Sequence, residues 1–204
     1  MLGLIAQAYY LRVVLSQSSL KEAEIIRVSA ISGEGIPLLK EKIFTMFSEA
    51  SQEVEHGKPR LPVDRVFSIP GFGTVVTGTL TGGSLETGMQ VQVHGPEKTA
   101  RIRGMQSHKH KETRVLPGSR TAINLSGIDV RDIQRGDVVS LPGAYLPTSR
   151  LDAQVEIIKS ATTGIKHNDS LKVFLHTSQR IGRVRLLGKS RISPGESGFI
   201  QLEL

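Results

Sequence analysis

Apolar residues change their spacing twice along this chain, and the two changes divide it into three zones. In the first zone, Glu24-Ile25-Ile26-Arg27-Val28 is a short apolar run suited to a strand buried in a parallel sheet. It leads into a tight loop, Ser29-Ala30-Ile31-Ser32-Gly33-Glu34-Gly35, and Pro37 then sits where a first helical turn accepts it. Ile36, Leu39, Ile43, Phe44 and Phe47 follow at helical spacing and make one apolar face. Residues 1–50 therefore predict a strand–loop–helix unit, the last piece of a larger α/β domain, with residues 1–23 fitting no element well.

Residues 51–61 are polar, of mixed charge and broken by Gly57 and Pro59, and read as a linker. From 62 to 145 the period becomes two. Val63, Phe67 and Ile69 alternate, Thr74 to Leu80 is β-branched, and Met89–Val93 and Thr99–Arg103 alternate again. Glycines and prolines interrupt these runs at the spacing of a small barrel or sandwich. Residues 150–204 give four more strand candidates: Leu151–Ile157, Leu171–Leu175, Arg183–Leu186 and Phe199–Leu204, the last after the turn Pro194-Gly195-Glu196-Ser197-Gly198. So few strands predict a third domain cut short, an open sheet edge and a chain that is a fragment. The fold class expected is mainly β: two consecutive small barrels preceded by an α/β remnant.

Composition narrows the chemistry. Aromatic residues are 4% of the 204, with no Trp, which argues against a binder that stacks bases on exposed rings. No cysteine is present, so disulfides, thiolate metal sites and cysteine nucleophiles are excluded. The net charge of +7 suits a polyanionic partner, and equally suits mere solubility. The opening Met1-Leu2-Gly3-Leu4-Ile5-Ala6 lacks the form of a signal peptide and no run is long enough to span a bilayer, so a cytoplasmic protein with no membrane partner is expected.

The order of zones and two local matches carry a family resemblance. Val28-Ser29-Ala30-Ile31-Ser32-Gly33-Glu34-Gly35 resembles the last guanine-contacting loop of translational GTPases of the elongation factor Tu type. The stretch from Asp64 through Gly71-Phe72-Gly73-Thr74-Val75-Val76-Thr77-Gly78-Thr79-Leu80 resembles the opening hairpin of their second domain, in the wording of the selenocysteine-specific branch. Asn124-Leu125-Ser126-Gly127 with Arg135-Gly136-Asp137-Val138-Val139, and Pro194–Gly198 with Gln201-Leu202, are similar to later parts of the same family. The resemblance covers most of the chain from Ile25 onward.

It implies residues 1–50 as the end of a GTP-binding domain, 62–145 as barrel domain two with an aminoacyl-tRNA pocket, and 150–204 as a truncated domain three. It further implies selenocysteinyl-tRNA and the ribosome as partners, in a monomer. Selenocysteine insertion element RNA would be reached only through C-terminal domains not found here. The family's Gly-x-x-x-x-Gly-Lys-Ser/Thr phosphate loop and Asn-Lys-x-Asp motif are missing; Gly188-Lys189-Ser190 imitates the former without its leading glycine. GTP and magnesium therefore belong to a full-length parent. This chain is expected to hold no cofactor or metal and to catalyse nothing.

By the same resemblance Asp64, Arg65 and Arg120 form the aminoacyl pocket, with the arginines on an ionised selenolate and Asp64 on the α-amino group. Alternation along a strand sends neighbours such as Asp64 and Arg65 to opposite faces, so both reach one pocket only at a bulge or strand end. Gly71, Phe72, Gly73 and Thr74 are candidates to contact the tRNA 3′ end, and Ser29 and Ala30 are the guanine-loop remnant. His108-Lys109-His110-Lys111 reads first as a solvated turn, then as a phosphate contact. General translation-factor barrels, or a two-barrel interaction module without tRNA, remain the alternatives.

Overall fold

The computed structural model describes residues 2–16, 18, 20–49 and 57–204. By internal contacts the chain forms two compact units. One comprises 1–51, 151–169 and 183–203, the other 52–150 with 170–182 and Leu204.

The second unit is built on a closed barrel. Its strands are β1 Arg60–Ile69, β2 Gly73–Thr79, β3 Leu85–Glu86, β4 Gln90–His94, β5 Lys98–Ser107, β6 His110–Glu112, β7 Arg114–Val115, β8 Arg120–Ser126 and β9 Val138–Ser140. The ladder runs β4-β9-β1-β2-β8-β5, and a further β4–β5 pairing closes the ring, which leaves those six strands no exposed edge. The alternation seen in the sequence is the alternation of this wall. Val91 and Val93 on β4, and Ile123 and Leu125 on β8, point inward and are 2% exposed or less. Together with Leu61, Val63, Val76, Leu80 and Leu85 they make one continuous core. β1 begins at Arg60, inside the stretch read as linker, because Leu61 is wholly buried and pairs with Val139.

Two details of this barrel position the site described below. Across β1 and β2 the register shifts between Val63 and Arg65: Val63 faces Gly78, while Arg65 already faces Thr77. Asp64 is the extra residue, a β-bulge. Gly78 is what lets β1 run so close to β2. A Cβ there would stand inside contact distance of the Pro62 carbonyl oxygen and 2.8 Å from Leu61 Cδ2.

In the third zone β10 Arg150–Glu156, β11 Ile165–Lys166, β12 Ser170–Leu175, β13 Ser178–Leu187, β14 Arg191–Ile192 and β15 Ser197–Glu203 cover all four predicted strands. The main sheet has the order β10-β15-β13-β12, with β11 and β14 forming a separate pair. Val184 and Leu186 lie opposite Leu202 and Ile200 and are buried. Leu151, Ala153 and Val155 on the edge strand β10 are only half-buried. Residues 170–182, which are β12 and the first half of β13, group with the second unit, where Arg135 Nε donates to the Thr177 carbonyl at 3.2 Å.

The first zone departs from its expectation. Helix α1 covers Leu2–Leu15, where no element was assigned, and α2 covers Ile36–Glu49 as the periodicity requires. Glu24–Val28 is not a strand: residues 23–29 carry no ladder pairing and Val28 is 48% exposed. A parallel strand is held by neighbours that take its N–H and C=O groups, and no described strand pairs with this segment. The apolar face of α2 is likewise uncovered, with Phe44 77% and Phe47 76% exposed.

Candidate functional site

The bulge at Asp64 decides which way the residues expected to form a pocket point. Val63 and Val66 both turn inward, so the two residues between them share the outer face. Arg65 faces Thr77, Thr77 faces Ala122, and Arg120 lies opposite Thr79, two residues from Ala122. Register partners and i, i+2 neighbours project on the same side of a sheet. Arg65, Thr77 and Arg120 therefore rise from one patch of the outer wall across β1, β2 and β8, and the bulge adds Asp64 to it.

Asp64 is the hub. Arg120 Nη1 donates to its Oδ2 at 2.5 Å, and Thr77 Oγ1 donates to its Oδ1 at 2.5 Å. The Asp64 side chain is 18% exposed and that of Arg120 57% exposed. Burial alone would push the Asp64 carboxyl up. The bonds from Arg120 and Thr77, with the field of Arg120 and Arg65, outweigh it and hold the group below its usual range. The same pairing raises Arg120. The result is an ionised carboxylate fixed by two donors, beside a surface guanidinium and within the field of another.

The three residues expected to share a pocket are thus brought together on one face. In this structure Arg120 is spent on Asp64 rather than presented alone. Thr77 went unnoticed in the sequence. The available signal was its place in a β-branched strand, which reads as core packing unless the register with Arg65 is known.

A strip of the same outer face adjoins the ion pair. Phe67, Val75, Asn124 and Gly104 are aligned across β1, β2, β8 and β5, with Ala122 and Gln106 aligned one step along. Val75 is 6% exposed although it points away from the barrel core, and the Asn124 Oδ1 atom is buried without a hydrogen-bond partner. Gly104 leaves open space, since a Cβ there would meet nothing within 4 Å.

The turn between β1 and β2 carries the candidate 3′-end residues. Gly71 and Gly73 have φ of +79° and +88°, a conformation glycine adopts freely, and Phe72 between them is 59% exposed. Thr74 does not belong to that exposed tip. It is 5% exposed and its hydroxyl donates to the Ile128 carbonyl at 2.9 Å inside the wall. His108 and Lys109, both at positive φ, form the two-residue turn between β5 and β6, and His108 to Lys111 are exposed. Ser29 and Ala30 lie in the other unit. There the Ser29 amide donates to the Glu34 carbonyl and its Oγ accepts from the Ser32 amide, so the loop binds itself. Among the described residues no cluster of three or more His, Cys, Asp or Glu is placed to hold a metal. No helix among them is long and apolar enough to cross a membrane.

A closed six-stranded barrel that opens with this hairpin defines a class. Residues 73–140 match the family described as elongation factor Tu domain 2, and the closed six-strand barrel is consistent with barrels of that type. Over most of its length the chain is similar to selenocysteine-specific elongation factors. It is 33% identical over 189 residues to the selenocysteine-specific elongation factor of Desulfomicrobium baculatum, a match covering 92% of this chain and 30% of that protein. The crystal structure of a bacterial selenocysteine-specific elongation factor, EF-Sec, superposes with a TM-score of 0.82 at 27% identity, over all of this chain and 32% of that one. The apo elongation factor SelB of Methanococcus maripaludis, at 22% identity, shares the fold with a TM-score of 0.81 over 97% of this chain and 46% of its own. The chain thus spans about a third to a half of the length of these relatives.

Proposed function

We propose that this chain supplies the aminoacyl-tRNA-binding barrels of a selenocysteine-specific elongation factor, which delivers selenocysteinyl-tRNA to the ribosome in a GTP-dependent way. The observation that carries the proposal is the outer-wall constellation of Asp64, Thr77, Arg65 and Arg120. An aminoacyl ester presents an α-ammonium group and a side chain on one carbon, and selenocysteine's side chain is a selenolate at neutral pH. A fixed carboxylate beside two guanidiniums complements that pair of charges, whereas serine offers the guanidiniums only a neutral hydroxyl. The adjoining strip of the wall suits the terminal nucleotide, with Phe67 offering an apolar surface and Gly104 room for a flat base.

The chain itself contributes binding and orientation. No step of this proposal runs through GTP or magnesium. Both would act on the remainder of a longer protein. The site is tested by protection of the ester bond. An occupied pocket shields the aminoacyl linkage, so adding the chain slows spontaneous hydrolysis of selenocysteinyl-tRNA, and slows it less after Arg120→Ala. Hydrolysis at the free rate with saturating protein would refute the assignment.

A further inference from the structure

The pairing of Arg120 with Asp64 raises a difficulty for any anionic ligand. The guanidinium expected to recognise the anion is paired with a carboxylate of the same site. The two partners are not equivalent. Asp64 belongs to a bulge, is largely buried and is tethered at its other oxygen by Thr77, while Arg120 is more than half exposed at the start of β8. A ligand that disturbs the pair therefore displaces Arg120, and Asp64 stays where Thr77 holds it.

We propose that Asp64 and Arg120 form a self-neutralised gate, opened by exchange of ion pairs: the ligand's ammonium takes Arg120's place on Asp64, and the freed guanidinium takes the ligand's anionic side chain. This rests on the reading given under Proposed function and adds the way its selectivity arises. The charge count explains the discrimination. Asp64, Arg65 and Arg120 together carry one net positive charge. A ligand with an ammonium and a selenolate adds none, and after the exchange each displaced charge has an opposite partner. A ligand with an ammonium and a hydroxyl adds a second positive charge and leaves Arg120 with no anion. A ligand with a selenolate but no ammonium has nothing to give Asp64, so Arg120 stays engaged. Recognition is then of the two charges jointly: the anion preference requires the free α-amino group.

The test measures binding of the 204-residue chain to selenocysteinyl-tRNA and seryl-tRNA on one tRNA body, each with the α-amino group free or acetylated. Acetylation removes the ammonium and keeps the side chain. In the wild type the selenocysteine-over-serine preference is expected to fall at least tenfold on acetylation. In Asp64→Asn, where Arg120 is already released, the preference is expected to be the same for free and acetylated ligands. A wild-type preference that survives acetylation unchanged would overturn the gate and leave the pocket assignment standing. No preference for the free-amino selenocysteinyl ligand in the first place would remove the pocket assignment, and the gate with it.

Discussion

Gly78→Ala tests whether the close approach of β1 to β2 builds the site. The added methyl would stand against the Pro62 carbonyl oxygen, which is backbone and cannot rotate away, and within 3.0 Å of both Leu61 Cδ2 and Cγ. Leu61 is fully buried and part of the continuous core, so it has no free space to move into. Over-packing of this kind costs about 1–3 kcal/mol. For a chain of this length each kcal/mol corresponds to roughly 2–4 °C, so the barrel's melting transition is expected to fall by about 2–12 °C. Gly104→Ala is the control: it lies on β5 of the same barrel, and its Cβ would meet nothing within 4 Å. It is expected to stay within about 0.5 kcal/mol of wild type. Melting followed by far-UV circular dichroism reads both, since the chain has no Trp to report by fluorescence. Because Gly78 faces Val63 at the edge of the bulge, the same variant should also weaken ester protection. Equal melting of Gly78→Ala and wild type would refute the close-approach argument, and equal loss in both variants would reduce it to a general glycine effect.

Two carboxylates give pH predictions of opposite sign. Asp64 is held below its usual range, so the folded chain binds fewer protons there than the unfolded chain. Its contribution to stability is present above about pH 3.9 and is lost as pH falls through the folded value. Asp64→Asn should therefore be less stable than wild type at pH 7, with the gap closing below about pH 4 in urea titrations. A gap that persists unchanged at the lowest pH would contradict this. Asp137 is 3% exposed, its Oδ1 has no partner, and burial outweighs the Gln134 amide and the field of Arg180 to push its carboxyl up. Its stabilising contribution is complete below about pH 3.9 and is lost as pH rises through the folded value. Asp137→Asn should accordingly gain stability relative to wild type between acidic and neutral pH, and a loss over that interval would show that the charged form is favoured.

The closed barrel was legible because its inner face obeys the period of two. Val91, Val93 and the run Thr74–Leu80 announce strands whatever their partners are. β8 escaped that reading: Arg120–Ser126 alternates weakly, and its buried Thr121 is polar, so only the ladder with β2 identifies it. Glu24–Val28 shows the converse error, since an apolar run signals a strand only where other strands receive it. The site was half legible. Resemblance brought forward Asp64, Arg65 and Arg120, but the bulge that places them on one face is a property of the β1–β2 register and has no local mark. Thr77 and the Asp64–Arg120 pairing were invisible for the same reason, because both are contacts between strands.

The most direct measurement is the ratio of dissociation constants for seryl-tRNA and selenocysteinyl-tRNA, unmodified and on an identical tRNA body, in wild type and in Arg120→Ala. The proposed function predicts a wild-type ratio well above one that drops toward one in the variant, while the salt dependence from phosphate contacts changes little. Equal binding of both ligands to the wild type, unaffected by Arg120→Ala, would contradict it and leave only a basic surface that holds tRNA without reading its amino acid.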